Sequence, residues 1–135
     1  MKHFSDPMLG AFIYDTGEHA WIADVSANAN ASFQLKLGGG DSKPAPELLA
    51  AAKELLAVPK RFCDDVLAFL ERTILEDPDF CDYAGEIRAL QVEDLSLFSA
   101  DRPNSGMIYF SNGLRGRVWR CDFVDGRPKS LGFDS

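Results

Sequence analysis

The middle of this sequence has two apolar patterns of helical period, and the segments on either side have patterns of period two. Apolar residues recur at helical spacing over residues 46–57 and again over residues 59–77. Pro46 and Pro59 suit the first turn of a helix, and Asp77-Pro78 ends the second pattern because proline disfavours a helical residue before it. The sequence therefore predicts two central helices in a chain that otherwise forms strands.

The segment before the helices predicts a β-meander. Residues 11–14 and 19–25 are rich in aromatic and β-branched side chains, and the compact turn at residues 15–18 separates them. Residues 33–37 alternate apolar and polar side chains, which predicts a half-buried strand. Gly38-Gly39-Gly40 then predicts a flexible connector and not a phosphate-binding loop, because Asp41, and not a lysine, follows the glycines.

The segment after the helices predicts β-hairpins. Residues 107–110 form an aromatic and aliphatic run, and Asn112-Gly113 is a strong hairpin-turn dipeptide. Residues 118–123 alternate in character, and Asp125-Gly126 turns the chain into a last strand over residues 130–133. The alternation leaves open which face of these strands lies in the core.

These patterns predict an α+β fold in a single domain of residues 1–135. It has an N-terminal β-meander, two central helices and C-terminal β-hairpins, with a largely antiparallel sheet packed against the helices and no βαβ alternation. The length of 135 residues is typical of one domain, and a hydrophobic content of 46% indicates a folded core. The expected core residues are Phe33, Leu35, Leu48, Ala52, Leu55, Phe62, Val66, Phe69, Leu70 and Trp119.

The charge of the chain is divided unequally along the sequence. Residues 1–101 contain 18 acidic and 8 basic side chains, a net charge of −10, whereas residues 102–135 contain 3 acidic and 6 basic side chains, a net charge of +3, so the chain carries −7. A polyanion repels a chain of this charge, so we expect no nucleic-acid partner. We expect the basic C-terminal side chains to pair with acidic elements of the chain or to form a small polar rim. These side chains are Arg115, Arg117, Arg120, Arg127 and Lys129.

Cysteine and histidine residues, which catalytic and metal sites often use, are few in this chain. Cys63, Cys81 and Cys121 are odd in number and widely spaced, which disfavours a disulfide framework and fits no zinc-ligand spacing. His3 and His19 stand in no catalytic pattern, so we expect no catalytic residue, no metal and no cofactor. The sequence has no apolar run of membrane-crossing length and no apolar export segment near its start, which predicts a cytoplasmic protein without a membrane partner.

The densest charged stretch begins in the second predicted helix and continues through the loop expected after it, to about Glu86. Glu76 and Asp77 stand at the predicted C-terminus of that helix, where the helix dipole disfavours an anion by about 0.3 kcal/mol or more. Acids at a mildly unfavourable position favour an interpretation in which a basic partner is attracted by them. The predicted partner-binding residues are Asp64, Glu71, Glu76, Asp77, Asp79, Asp82 and Glu86.

Two other interpretations of this acidic stretch stay open. A charge run of this kind is typical of a solvated helix face followed by an exposed loop. Alternatively, Asp77, Asp79 and Asp82 resemble the start of a calcium loop, although Cys81 and Arg88 stand where an EF-hand has an oxygen ligand and a glutamate.

Both ends of the chain resemble those of a group of small uncharacterised bacterial domains. The opening residues Asp6-Pro7-Met8-Leu9-Gly10-Ala11-Phe12-Ile13-Tyr14-Asp15, with Trp21 after them, are similar to the start of these domains, where a Leu-Gly turn enters the first strand and a tryptophan lies on the second. The closing residues Leu131-Gly132-Phe133-Asp134-Ser135 resemble their end. Some domains of this kind are immunity proteins, which neutralise toxins delivered between competing bacteria. The resemblance implies this role, and it assigns no functional residue.

One expectation and two alternatives follow. The leading expectation is a non-catalytic, immunity-type inhibitor whose acidic surface binds a cognate toxin protein with a basic surface. The first alternative is a small ligand- or metal-binding domain that uses the same loop. The second alternative is a homodimeric structural or interaction module that pairs through an apolar sheet face. The sequence leaves the chemistry of the toxin and the oligomeric state open.

Overall fold

A computed structural model describes residues 2–28, 31–111 and 117–134 of the chain. In this part of the chain an eight-stranded sheet is accompanied by four helices. The strands are β1 (His3–Asp6), β2 (Gly10–Asp15), β3 (Ala20–Asn28), β4 (Ala31–Leu37), β5 (Gln91–Leu97), β6 (Gly106–Ser111), β7 (Val118–Val124) and β8 (Arg127–Asp134). The helices are α1 (Pro46–Leu55), α2 (Pro59–Glu76), α3 (Pro78–Cys81) and α4 (Ala84–Arg88). The predicted turn Asn112-Gly113 and the basic residue Arg115 lie outside the described residues.

The strands follow one another across the sheet in chain order, from β1 at one edge to β8 at the other. Every neighbouring pair is antiparallel except β4 and β5, which are parallel, with Leu35 opposite Leu95 and Leu37 opposite Leu97. The prediction of helices and strands in a largely antiparallel sheet is therefore confirmed, and the sheet is the dominant element.

The expected absence of a βαβ alternation does not extend to every connection, because β4, the helical segment and β5 form one βαβ unit. The helical segment between β4 and β5 returns the chain to the end of the sheet at which β4 begins, so β5 runs in the same direction as β4. Strand patterns show which segments are extended, but they do not show the direction in which two distant segments pair. The parallel pair therefore appears only in the folded chain.

β1 is a second feature that the sequence patterns miss. This strand has four residues, and Phe4 is its one apolar side chain, so no alternation is visible. The Asp6 carboxylate accepts the backbone N–H groups of Met8 and Leu9, each at 2.9 Å, and closes the turn that pairs β1 with β2. The strand that Gly10 enters is consequently the second of the sheet, and Trp21 lies on the third.

Both long helices begin at the predicted prolines, and α2 covers the sheet with one face. The residues that α2 buries are Phe62, Val66, Phe69, Leu70 and Ile74. On α1, Leu48 and Ala52 are buried as expected, whereas Leu55 is half-buried and its neighbour Leu56 is buried in its place. The buried side chains form a hydrophobic cluster between the helices and the sheet.

The structure also decides the core face of the C-terminal strands. Trp119, Cys121 and Phe123 are buried in the hydrophobic cluster, and the side chains between them on β7 are exposed. The other face of the sheet, which points away from the helices, therefore carries the residues that alternate with the apolar positions along each strand. None of the helices in the described ranges combines the length and the apolarity needed to cross a bilayer.

Candidate functional site

The predicted partner-binding residues lie on α2, α3 and α4 and in the connections between them. α2 ends at Glu76 because Asp77 is extended, with φ −111° and ψ 111°, before Pro78. The Asp77 carboxylate accepts the backbone N–H of Asp79 at 2.9 Å and caps α3. The prediction of a loop up to Glu86 is therefore wrong, because two short helices occupy this stretch.

Two of the predicted acids form ion pairs at the surface. Asp64 accepts a hydrogen bond from Lys60 Nζ at 2.9 Å, one helical turn away. Glu71 binds Arg88 of α4 with both carboxylate oxygens, at 2.8 and 3.2 Å. The hydrogen bonds from Arg88 hold the pKa of the Glu71 carboxyl below its usual range. All four side chains are at least half exposed, so these pairs reduce the charge of the segment more than they stabilise the fold.

Glu86 is largely enclosed, with 13% of its side chain exposed. Its carboxylate accepts hydrogen bonds from the indole N–H of Trp119 and from Arg117 Nη1, the latter at 3.2 Å. Trp119 is fully buried, so this carboxylate satisfies an N–H group that has left water. Glu86 therefore holds α4 against the sheet through internal contacts.

Aromatic rings surround the contact between Glu86 and Arg117. The Arg117 guanidinium lies 5.1 Å from the ring centre of Tyr83 and 4.9 Å from that of Phe133. The ring centre of Trp119 is 4.7 Å from that of Phe133. The expectation that Arg117 pairs with an acidic element is confirmed. Sequence reasoning missed the role of Tyr83, although an aromatic side chain inside an acidic stretch is a signal of local packing.

Three of the predicted acids have no basic partner in the part of the chain that the structure describes. No described basic nitrogen lies within 4.0 Å of the carboxylates of Glu76, Asp79 and Asp82, and all three residues are exposed. Asp77 lies among them and is partly buried. We call Glu76, Asp77, Asp79 and Asp82 the acidic corner. The negative charge that this segment offers to a partner is concentrated there.

A shallow groove of about 670 Å³ lies beside the acidic corner, between the end of α2, α3 and the edge strand β8. Glu76, Asp77 and Arg72 line its helical side, and Lys129 and Ser130 line the side formed by β8, so acidic and basic side chains balance in the groove itself. A side chain that projects from another protein can enter such an open groove, while the exposed carboxylates of the acidic corner beside it favour a basic partner. The corner and the groove together form the candidate binding surface.

The cysteine and histidine side chains are dispersed over the described fold. Among the described residues, no group of three or more His, Cys, Asp or Glu side chains is arranged to hold a metal ion. Burial raises the pKa of the Cys121 thiol to about 11, and burial also raises the pKa of Cys63. Cys81, His3 and His19 are exposed. The acidic corner, which contains four of the seven predicted partner-binding residues, is therefore the candidate site.

Comparisons with protein-family models, with curated proteins and with solved structures find no match for this chain. The immunity-type role therefore stays an expectation that comes from the resemblance of the two chain ends.

Proposed function

We propose that this protein is a non-catalytic binding protein, an immunity-type inhibitor that neutralises a cognate bacterial toxin through the acidic corner. The observation that carries the proposal is a contrast within one segment. Asp64, Glu71 and Glu86 each bind a basic side chain of the chain itself, whereas Glu76, Asp79 and Asp82 bind none in the described residues. The unpaired acids are adjacent, so a basic protein surface can contact them together.

Electrostatics supports a protein partner with a positive surface. The inhibitor carries a net charge of −7, and three of its unpaired acids, Glu76, Asp79 and Asp82, stand together at one end of α2. Charges placed in this way accelerate the encounter with a basic partner and orient it before contact. The same net charge disfavours nucleic acid, so the proposed partner is a protein that acts in the cytoplasm and not a nucleic acid or a membrane.

Internal contacts support the proposal because they fix the corner before binding. Glu86 ties α4 to Trp119 and Arg117, and the buried face of α2 anchors that helix to the sheet. The acidic corner lies on the chain between these anchored points. A surface that is already ordered loses less conformational entropy when a partner binds, which favours tight inhibition.

The experiment uses three forms of the tagged protein as baits. The first is the natural chain, and the second is the corner variant E76Q/D79N/D82N, in which Asp77 is retained because it caps α3. The third is a control variant, D24N/E47Q/D101N, which removes the same number of charges at exposed acids that form no described ion pair. Equal melting temperatures would establish that all three baits are folded.

The expected result is a protein that the natural chain and the control variant capture and that the corner variant loses. Expression of the captured protein should be toxic to bacterial cells, and co-expression of the natural chain should relieve that toxicity. Capture of the same toxic protein by all three baits would contradict the role of the acidic corner. A captured protein whose toxicity is not relieved would contradict the inhibitory function.

A further inference from the structure

A second concave site lies at the other end of α2 from the acidic corner. This cleft has a volume of about 310 Å³ and opens between the end of α1, the first turns of α2 and the loops that follow β5 and β7. Its floor is apolar and belongs to the hydrophobic cluster, with Phe62 and Val66 from α2 and Ile108 and Phe123 from the sheet. The floor is almost completely buried, so the accessible apolar area of the cleft comes from partly exposed wall residues such as Leu55.

The rim of the cleft is charged and predominantly negative. Glu54, Asp65 and Asp125 contribute three carboxylates, and Arg61 contributes one guanidinium. All four residues are exposed, and none of them forms an ion pair with any residue in the described ranges. The rim therefore has more negative than positive charge available to a ligand.

Hydrogen bonds between the two loops fix one wall of the cleft. The backbone N–H of Gly126 donates to the carbonyl of Asn104 at 2.7 Å. The backbone N–H of Asp125 donates to Ser105 Oγ at 3.3 Å. A wall that is held in this way keeps Asp125 at the rim and Phe123 below it, so the cleft is formed before a ligand arrives.

We propose that this cleft binds a small organic amine that has an apolar body of one or two rings. The cleft volume lies at the lower end of the range typical of small-molecule sites, roughly 300 to 1,000 Å³, and is about twice that of a cavity that holds benzene. The apolar floor and wall accommodate the body of such a ligand, and the excess of carboxylates at the rim favours a positively charged substituent. The site is separate from the surface that binds the proposed toxin.

The test titrates the protein with two probes that share one ring system, followed by amide chemical shifts in nuclear magnetic resonance spectra. Tryptamine carries an ammonium group, and indole-3-propionate carries a carboxylate. Tryptamine should give saturable shifts that are confined to residues around the cleft, with a dissociation constant about fivefold lower than that of indole-3-propionate at low salt. Added salt should reduce this difference because it screens the rim charges.

Two variants test whether the probes bind in the cleft. The rim variant E54Q/D65N/D125N should lose the preference for tryptamine and, because Arg61 remains at the rim, bind indole-3-propionate at least as tightly; Asn is compatible with the left-handed backbone of residue 125 (φ 55°). The variant A51L places a larger side chain at the cleft wall and should bind neither probe. If A51L does not fold, the rim variant decides the outcome alone. The corner variant E76Q/D79N/D82N should bind tryptamine like the natural chain, which separates this site from the proposed function.

Three results would overturn the proposal. The first is the absence of saturable shifts with tryptamine up to about 10 mM, well above the micromolar range of a specific small ligand. The second is equal binding of tryptamine and indole-3-propionate by the natural chain. The third is binding of a Lys-Trp-Lys peptide about tenfold or more tightly than tryptamine, which would assign the cleft to a segment of a protein.

Discussion

Glu86 and Trp119 are 33 residues apart in the chain, and the carboxylate of one accepts the indole N–H of the other. The bond joins α4 to the buried face of β7, and Arg117 completes it with a second hydrogen bond to the same carboxylate. An acidic side chain in a charged surface stretch thus has a structural role. Its removal leaves an indole N–H and a guanidinium without their acceptor.

Substitution E86A should lower the free energy of unfolding by about 2 to 4 kcal/mol, because a buried N–H and a largely enclosed guanidinium lose their partner. The variant E86Q should lose about 1 kcal/mol, since glutamine still accepts the indole hydrogen bond. Urea unfolding followed by tryptophan fluorescence measures both changes. The matched control is E71A, which breaks an exposed pair with Arg88 and should cost less than about 1 kcal/mol. Equal losses for E86A and E71A would contradict the structural role of Glu86.

Asp6 predicts a specific pH dependence of stability. Burial opposes its ionisation, but hydrogen bonds from Lys53 Nζ at 2.6 Å and from the N–H groups of Leu9 and Met8 outweigh burial and lower its pKa. Its contribution is therefore fully present above the ordinary value of 3.8 and is lost as the pH falls through the lower folded-state pKa. D6N should have a lower free energy of unfolding than the natural chain near neutral pH. As the pH falls below about 4, the free energy of unfolding should decrease less for D6N than for the natural chain.

Asp94 is the control, because its contribution to stability changes with pH in the opposite direction. Burial raises its pKa more than Lys36 lowers it, so its contribution to stability is present below its ordinary pKa and is lost as the pH rises through the folded-state value. Unfolding free energies of D6N and D94N, measured by denaturant from about pH 7 to pH 2.5, should change with pH in opposite directions relative to the natural chain. Parallel curves for the two variants would contradict the assigned electrostatics.

Phe69 lies in the middle of α2 with 8% of its surface exposed, and it faces the sheet. Truncation to alanine should cost about 3 to 5 kcal/mol because it removes a buried ring and leaves a cavity. Leu67, on the same helix and about half exposed, is the control, and L67A should cost less than about 1 kcal/mol. A loss below about 1 kcal/mol for F69A would place the ring outside the core.

Local patterns were sufficient to predict α1 and α2, because Pro46 and Pro59 mark their starts and apolar stripes mark their buried faces. They were insufficient for α3 and α4, which have four and five residues and are too short for a helical period to be visible. The acidic stretch itself was visible in the sequence. The pairing of its acids was visible only for Asp64, whose partner Lys60 is one helical turn away, and not for Glu86, because the partner of Glu86 is more than 30 residues away.

The three cysteines should differ in their reactivity toward a disulfide reagent. Cys81 is exposed, whereas burial raises the pKa of Cys121 to about 11 and also raises that of the half-buried Cys63. The thiolate is the reactive form, so Cys81 should react first under native conditions and Cys121 only after unfolding. Mass spectrometry of the labelled protein identifies the site, and C81S should remove the fast phase. Fast labelling of Cys121 in the native protein would contradict its burial.

The role of the acidic corner is tested most directly by the association rate constant of the captured partner, measured over a range of salt concentrations. The natural chain and the control variant D24N/E47Q/D101N should associate rapidly at low salt, and their rates should fall about tenfold or more between roughly 50 and 300 mM salt. The corner variant E76Q/D79N/D82N should associate more slowly at low salt and respond less to added salt. A corner variant that matches the natural chain at every salt concentration would contradict binding through the acidic corner.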